Sequence, residues 1–171
     1  MNLNNFTIKA QEAIQQAFVI AQSRNQQAIE TGHILKALLQ TADSVVNHVL
    51  KKCGVNPVTF SQALDRIVDT YAQVSGSEQY LSTDANKSLQ KAIELSQKNG
   101  DQYVPVEWII IGLLSGNDRI AQMMKDAGLS EKEVQAAIAE LRKGARVSSQ
   151  SSDDTYDALG RYAINLNERA R

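Results

Sequence analysis

The chain carries one cysteine, Cys53, so no internal disulfide framework can form. Only two prolines, Pro57 and Pro105, and nine glycines interrupt its 171 residues, which leaves long stretches free to be helical. Charge of one sign is also missing. Eighteen basic residues against nineteen acidic ones give a net charge of -1, and no field exists to hold nucleic acid or an anionic membrane surface. Nine aromatic residues are spread without basic clusters around them, which removes support for single-strand stacking. The longest apolar run, Trp108 to Leu114, falls far short of the roughly 20 residues a bilayer requires, and reads as a buried helix. Met1 to Asn5 has neither the basic start nor the apolar stretch of a signal peptide. The expected location is the reducing cytoplasm, without nucleic-acid or membrane partners.

Chemical signatures are equally scarce. The sequence contains no G-x-x-x-x-G-K-[ST] loop, G-x-G-x-x-G turn, G-x-S-x-G elbow or H-E-x-x-H helix, so this chain is not expected to be an enzyme. A metal site needs three or four converging ligands, and His33, His48 and Cys53 are the only soft donors. His48 and Cys53, five apart on one helix, turn to different faces, so no metal or cofactor is expected in this chain. Cys53 before Gly54 reads as a buried small hydrophobe.

What is present is apolar periodicity and a repeat. Hydrophobic residues make up 43% of the chain, enough for a sizeable core, and recur at helical spacing, as at Ile14, Ala17, Phe18 and Ala21. Sliding the sequence by 75 positions lays Phe6–Leu39 on Leu81–Leu114 without a gap. Identities include Ala10 with Ala85, Gln27 with Gln102, Ile34 with Ile109, and Leu38-Leu39 with Leu113-Leu114. At an offset of 74 the match continues to Gly54 and Gly128, each where a helix must stop. Asn56-Pro57 and Ser130 with Glu133 then supply start signals for the next helix.

The spacing predicts four helices per copy: Thr7–Asn25, Thr31–Gln40, Ser44–Cys53 and Pro57–Tyr71, then Thr83–Asn99, Val106–Leu114, Asp118–Ala127 and Glu131–Lys143. Everything ordered is expected to be helix. The expected fold is all-α: two four-helix units, residues 1–71 and 80–144, joined by a short polar connector at 72–79 and packed about a pseudo-two-fold axis. Residues 145–155 read as a flexible serine-rich linker. Residues 156–171 regain amphipathic spacing at Leu159, Tyr162 and Leu166.

Two sets of residues invite a functional reading. Asp101 and Glu107 flank the connection into the second helix of copy two, where paired carboxylates could do acid–base work or contact a ligand. Alternatively, Glu107 complements the helix dipole and Asp101 closes a turn after Gly100. Trp108 replaces His33 in the repeat and either fills the core or offers a partly exposed surface for peptide.

The segment Phe6-Thr7-Ile8-Lys9-Ala10-Gln11-Glu12-Ala13-Ile14 resembles the opening of ClpB-type N-domains. Ile29-Glu30-Thr31-Gly32-His33-Ile34-Leu35-Lys36-Ala37-Leu38-Leu39 is similar to their second-helix motif, which copy two repeats as Pro105-Val106-Glu107-Trp108-Ile109-Ile110-Ile111-Gly112-Leu113-Leu114. Tyr162 to Ala170 resembles the segment that leads into the first AAA+ domain of these unfoldases. The resemblance implies the duplicated eight-helix fold and a substrate-recruitment role in a protein disaggregase. Such a module binds exposed hydrophobic stretches of unfolded or aggregated polypeptide and delivers them to a hexameric ring. ATP and magnesium would belong to AAA+ domains that this chain does not contain. The fragment itself is expected to be monomeric, with a DnaK-type chaperone system as a further partner of the full-length protein. In the family, positions matching Thr7, Asp101 and Glu107 lie near an apolar substrate groove. By extension, Leu89, Leu95, Tyr103 and Trp108 are the expected groove residues. Trp108 stands where an aliphatic side chain is more usual. A ClpC- or ClpA-type N-domain, which docks adaptors for a protease, is the alternative.

Overall fold

The structure is a computed structural model that describes residues 2–74, 76, 78–143, 147 and 150. Eight helices carry it: α1 (Ile8–Ser23), α2 (Thr31–Thr41), α3 (Asp43–Lys52), α4 (Pro57–Asp69), α5 (Thr83–Lys98), α6 (Val106–Leu114), α7 (Arg119–Ala127) and α8 (Glu131–Arg142). Each falls within about two residues of its sequence prediction because local capping sets its ends. The Thr7 hydroxyl accepts from Ala10 N–H to start α1, and Ser82, its repeat mate, accepts from Ala85 N–H to start α5. The Asn56 side chain accepts from Val58 and Thr59 N–H in front of Pro57. Ser130 accepts from Glu133 N–H, while its own hydroxyl donates to the Glu133 carboxylate. At the other ends, Gly54 (φ 71°) and Gly128 (φ 115°) take the left-handed backbone that glycine adopts at least cost.

The expectation that all order is helical needs one correction. Two short parallel pairings join the copies. Strand β1 (Ala28–Ile29) pairs with β2 (Tyr80–Leu81), and Phe6 bridges Val104. The two pairings are repeat mates: adding 75 to Ile29 gives Val104, and adding 75 to Phe6 gives Leu81. The bonds follow the same rule, with Ser82 N–H donating to Ile29 C=O and Thr7 N–H donating to Val104 C=O, both at 3.0 Å. Each copy thus binds the entrance of its second helix to the entrance of the other copy's first helix. Runs of two residues have no visible alternation, so helical periodicity could not reveal them.

Helix packing repeats the exchange. α1 packs on α2 and α5 on α6 within each copy, while α3 packs on α8 and α4 on α7 across them. All nine residues of α6 are buried, as expected of a helix apolar on every side, and it touches α1, α2 and α3 as well as α5, α7 and α8. One continuous core results, with Phe6, Ile14, Leu38, Leu64, Leu89, Ile109 and Leu113 fully enclosed. No described helix is long and apolar enough to cross a membrane. Cys53 is half-buried at the end of α3 against that core.

Candidate functional site

Copy two brings three of the expected residues into one buried polar node. Gly100, in left-handed backbone (φ 77°), turns the chain out of α5, and Asp101 N–H then closes onto Ser96 C=O at 2.8 Å. Glu107 and Trp108 lie in the first turn of α6. Arg142, the last residue of α8, inserts between them. Its guanidinium grips Asp101 through two bonds, Nη1 to Oδ2 at 2.8 Å and Nη2 to Oδ1 at 2.5 Å, the fork geometry that carboxylates accept best. Its Nε lies 3.5 Å from Glu107 Oε2, and its plane sits 5.4 Å from the Trp108 ring centre. Trp108 Nε1 donates to Asp101 Oδ2 at 2.6 Å. The fourth donor to Asp101 is the backbone N–H of Val147, at 2.9 Å from Oδ1.

Burial is what makes these contacts strong. Glu107 is fully enclosed, and Asp101, Trp108 and Arg142 are each less than a tenth exposed. Two carboxylates face one guanidinium, and the amino terminus of α6 adds positive potential where Glu107 lies. The turn-closing position of Asp101 and the helix-dipole position of Glu107 are therefore both present. Nothing in this cluster has the arrangement of a nucleophile with its base, and among the described residues no group of three metal-ligating side chains converges.

The remaining expected residues take other places. Thr7 is fully buried, caps α1, and reaches the node only through its backbone bond to Val104. Leu89 and Leu95 belong to the apolar core. Tyr103 is half-buried in the connection between Asp101 and α6. Around this region Ile8 is the large apolar side chain left open, 45% exposed at the start of α1.

Sequence reasoning missed Arg142 and Val147. The first had a signal: Val134 and Ile138 mark the buried face of α8, and Arg142 is the next position in that i+4 series. A cation on a core stripe points to a buried partner. Val147, read as linker, is instead fully buried, with Gln102 N–H donating to its carbonyl at 2.7 Å. Gln150 also bonds back, its carbonyl accepting from Ile8 N–H at 2.8 Å. The rest of the expected linker and the expected AAA+ lead-in at 156–171 lie outside the described residues.

A separate groove of about 730 Å³ opens between α4 and α7, floored by Phe60, Ile67 and Met123 and rimmed by Arg66, Arg119 and Asp126. The sequence reading did not anticipate it, because its walls come from the two copies.

Comparison with known proteins matches this architecture. The chaperone protein ClpB of Bacteroides thetaiotaomicron is 47% identical over 171 residues, which are all of this chain and 20% of that protein. The chain thus spans about a fifth of the length of the curated relatives it matches. Among solved structures, the Hsp104 N-terminal domain from Candida albicans superimposes with a TM-score of 0.77 at 24% identity, covering 87% of this chain and 99% of that one. A ClpV N-domain in complex with a VipB peptide has a TM-score of 0.56 at 19% identity, covering 96% and 90%. Residues 5–127 match the family described as the Clp repeat (R) N-terminal domain, and with that match and the duplicated eight-helix fold the chain belongs to this family.

Proposed function

We propose that the chain is the substrate-recruitment domain of an ATP-dependent protein disaggregase. It binds exposed hydrophobic segments of unfolded or aggregated polypeptides and hands them to an AAA+ ring. The observation that carries this reading is the end-to-end likeness to a ClpB chaperone about five times as long. A peptide complex of a ClpV N-domain supports peptide binding as a use of this fold. Hydrolysis of ATP with magnesium would reside in the remainder of the full-length protein, a cytoplasmic hexamer that works with a DnaK-type system.

Within this reading the buried node is the frame of the contact region and its neighbours are the surface. Asp101, Glu107 and Trp108 fix the entrance of α6, and Thr7 fixes the entrance of α1 beside it. Ile8 and Tyr103 then offer open and half-open side chains beside the exposed Gln102, while Leu89 and Leu95 lie in the core. A small contact area barely offsets association entropy, so binding is weak and suits transfer. Titrating the isotope-labelled chain with unfolded α-casein, without any adaptor, should move amide resonances around Thr7, Asp101 and Trp108. Shifts confined to the α4–α7 groove would favour the second reading, an adaptor-docking domain of the ClpC or ClpA type, for which that charged-rimmed groove is the suitable surface. An unchanged spectrum at saturating casein would remove the recruitment role.

A further inference from the structure

Gly100 sets the direction in which Asp101 enters the buried node, and the residue before it gives that turn a chemical weakness. Asn99 caps the C-terminus of α5 at φ -96° and ψ 5°, and Gly100 follows in left-handed backbone at φ 77°. The Asn99 carboxamide donates through Nδ2 to Leu95 C=O at 2.8 Å, and Gly100 N–H donates to Gln97 C=O at 3.2 Å. Both residues are exposed to water. Asp101 comes next, its N–H on Ser96 C=O and its carboxylate on Arg142 and Trp108.

An asparagine followed by glycine holds an electrophile and a nucleophile within one turn of chain. Gly100 N, once its proton has gone to a solvent base, attacks Asn99 Cγ. The new N–Cγ bond closes a cyclic imide, the Cγ–Nδ2 bond breaks, and Nδ2 leaves as ammonia after taking a proton from water. A second water then opens the imide. Hydrolysis at Cγ leaves an ordinary aspartate, and hydrolysis at the main-chain carbonyl leaves isoaspartate, in which the chain runs through Cβ and Cγ. No oxidant or cofactor takes part. A side chain on the following residue crowds the attacking nitrogen, and glycine has none. Asn99 is the only asparagine of the chain with glycine after it. The two hydrogen bonds that hold the junction back lie at the end of a helix, where local opening costs least.

Copy one builds the same turn without this chemistry. Arg24 and Asn25 occupy the matching places, Arg24 at φ -103° and ψ 6° and Asn25 at φ 56°. Asn25 is followed by Gln26, whose side chain shields the nitrogen. Arg24 puts a cation at the C-terminus of α1, the sign that the helix dipole favours there. Deamidation instead puts an anion at the C-terminus of α5, and it removes the Nδ2 donor that covers Leu95 C=O. Isoaspartate also lengthens the main chain just ahead of Asp101. The buried carboxylate is held by two donors from Arg142 and one from Trp108, an arrangement that a displaced main chain cannot keep.

We propose that Asn99-Gly100 is a site of spontaneous deamidation and isomerisation, and that the reaction uncouples Asp101 from Trp108 and Arg142, so that the entrance of α6 has a chemically limited lifetime. The inference concerns the node alone and holds whether or not the chain recruits polypeptide substrates.

Trp108 is the one tryptophan of the chain, so its emission reports the node directly. The full 171-residue chain, aged in mildly alkaline buffer at physiological temperature, should convert Asn99 to the acid several-fold faster than any other asparagine, Asn117 included, as read by peptide mass spectrometry. The rate should rise with pH, because the attacking nitrogen must lose its proton. Trp108 emission should move to the red in step with that conversion, as its indole N–H exchanges the Asp101 carboxylate for water. Asn99→Gln, whose longer side chain closes its larger ring far more slowly, and Asn99→Arg, which reproduces the residue of copy one, should keep the unaged emission over the same period. Conversion of Asn99 no faster than that of the other asparagines overturns the modification site. Conversion of Asn99 with unchanged Trp108 emission, or an equal red shift in the aged variants, overturns its link to the node.

Discussion

At the scale of single residues, the two copies solve one problem with different chemistry. Seven positions before each second-helix aromatic stands its hydrogen-bond partner: Gln26 for His33, with Nε2 and Oε1 2.6 Å apart, and Asp101 for Trp108 at 2.6 Å. Copy one keeps the network neutral. Gln26 donates onward to Val68 C=O, whereas at the matching position copy two has Arg142. Glu30 N–H donates to His33 Nδ1, which fixes the tautomer with its proton on Nε2, and the Tyr71 ring lies tilted against it with centroids 5.2 Å apart. Burial, and then the charge of Arg24, pull the His33 pKa down from 6.5 to about 4. The folded state therefore prefers neutral His33, while the unfolded chain takes up its proton near pH 6.5. Its contribution is complete above that pH and is lost as pH falls from 6.5 through 4. Denaturant unfolding at pH 7 and pH 4 should show the unaltered chain losing about 2–3 kcal/mol more than a His33→Gln variant, from roughly 1.4 kcal/mol per pKa unit. Equal losses in both chains would mean that His33 is not the buried neutral group described. Asp101, Glu107 and Trp108 were legible as a set because residue type and repeat position single them out. Spacing marks Arg142 as a cation on the buried face of α8 but not the partners it meets, and Val147 carries no mark at all, since convergence of groups from separate elements is not written in linear spacing.

At the scale of elements, the helices were legible almost to the residue because their stop and start signals are local: Thr7, Ser82, Asn56, Ser130, Gly54 and Gly128 each act within four residues. The contacts between elements were not, and the two glycines at helix crossings show why. A Cβ built on Gly112 would lie 2.2 Å from Ser88 C=O, so α6 and α5 approach backbone to backbone at that point. Copy one has Ala37 and Ala13 at the matching positions, both fully buried, so its α1–α2 crossing accommodates the methyl groups that the α5–α6 crossing excludes. A carbonyl oxygen fixed in a helix cannot move aside as a side-chain tip can, so the overpacking cost of about 1–3 kcal/mol falls at its upper end. Gly112→Ala should lower the thermal midpoint by several degrees. Gly32→Ala meets instead the Tyr71 hydroxyl at 2.6 Å, the end of a side chain that can rotate, and should cost less. Thermal melts of the two variants side by side decide the point; equal midpoints would mean that α5 and α6 can separate without penalty.

At the scale of the molecule, the repeat is a structural unit only in sequence. Each four-helix copy leaves its second pair of helices to be covered by the other: α3, with Val45, Val46, Val49 and Leu50 buried, packs on α8, with Val134, Ala137 and Ile138 buried. The α4–α7 contact and the two exchanged strand pairings do the same on the other side of the pseudo-two-fold. Separating the copies would return six or more large apolar side chains to water at about 1.5–3 kcal/mol each. That loss, roughly 10–20 kcal/mol, matches or exceeds the about 5–15 kcal/mol by which whole domains are stable. A fragment of residues 1–79, although it contains all four helices of copy one, should therefore show no cooperative thermal transition by circular dichroism. Mixing it with residues 80–171 should restore a transition, because every contact between the halves except the connector itself is non-covalent. A cooperative melt of 1–79 alone would show that the cross-copy faces are dispensable and that the duplication joined two domains already able to fold. The opposite result makes the duplication obligatory. The asymmetry that places the buried charges and Trp108 in copy two then stands within a framework that copy one stabilises.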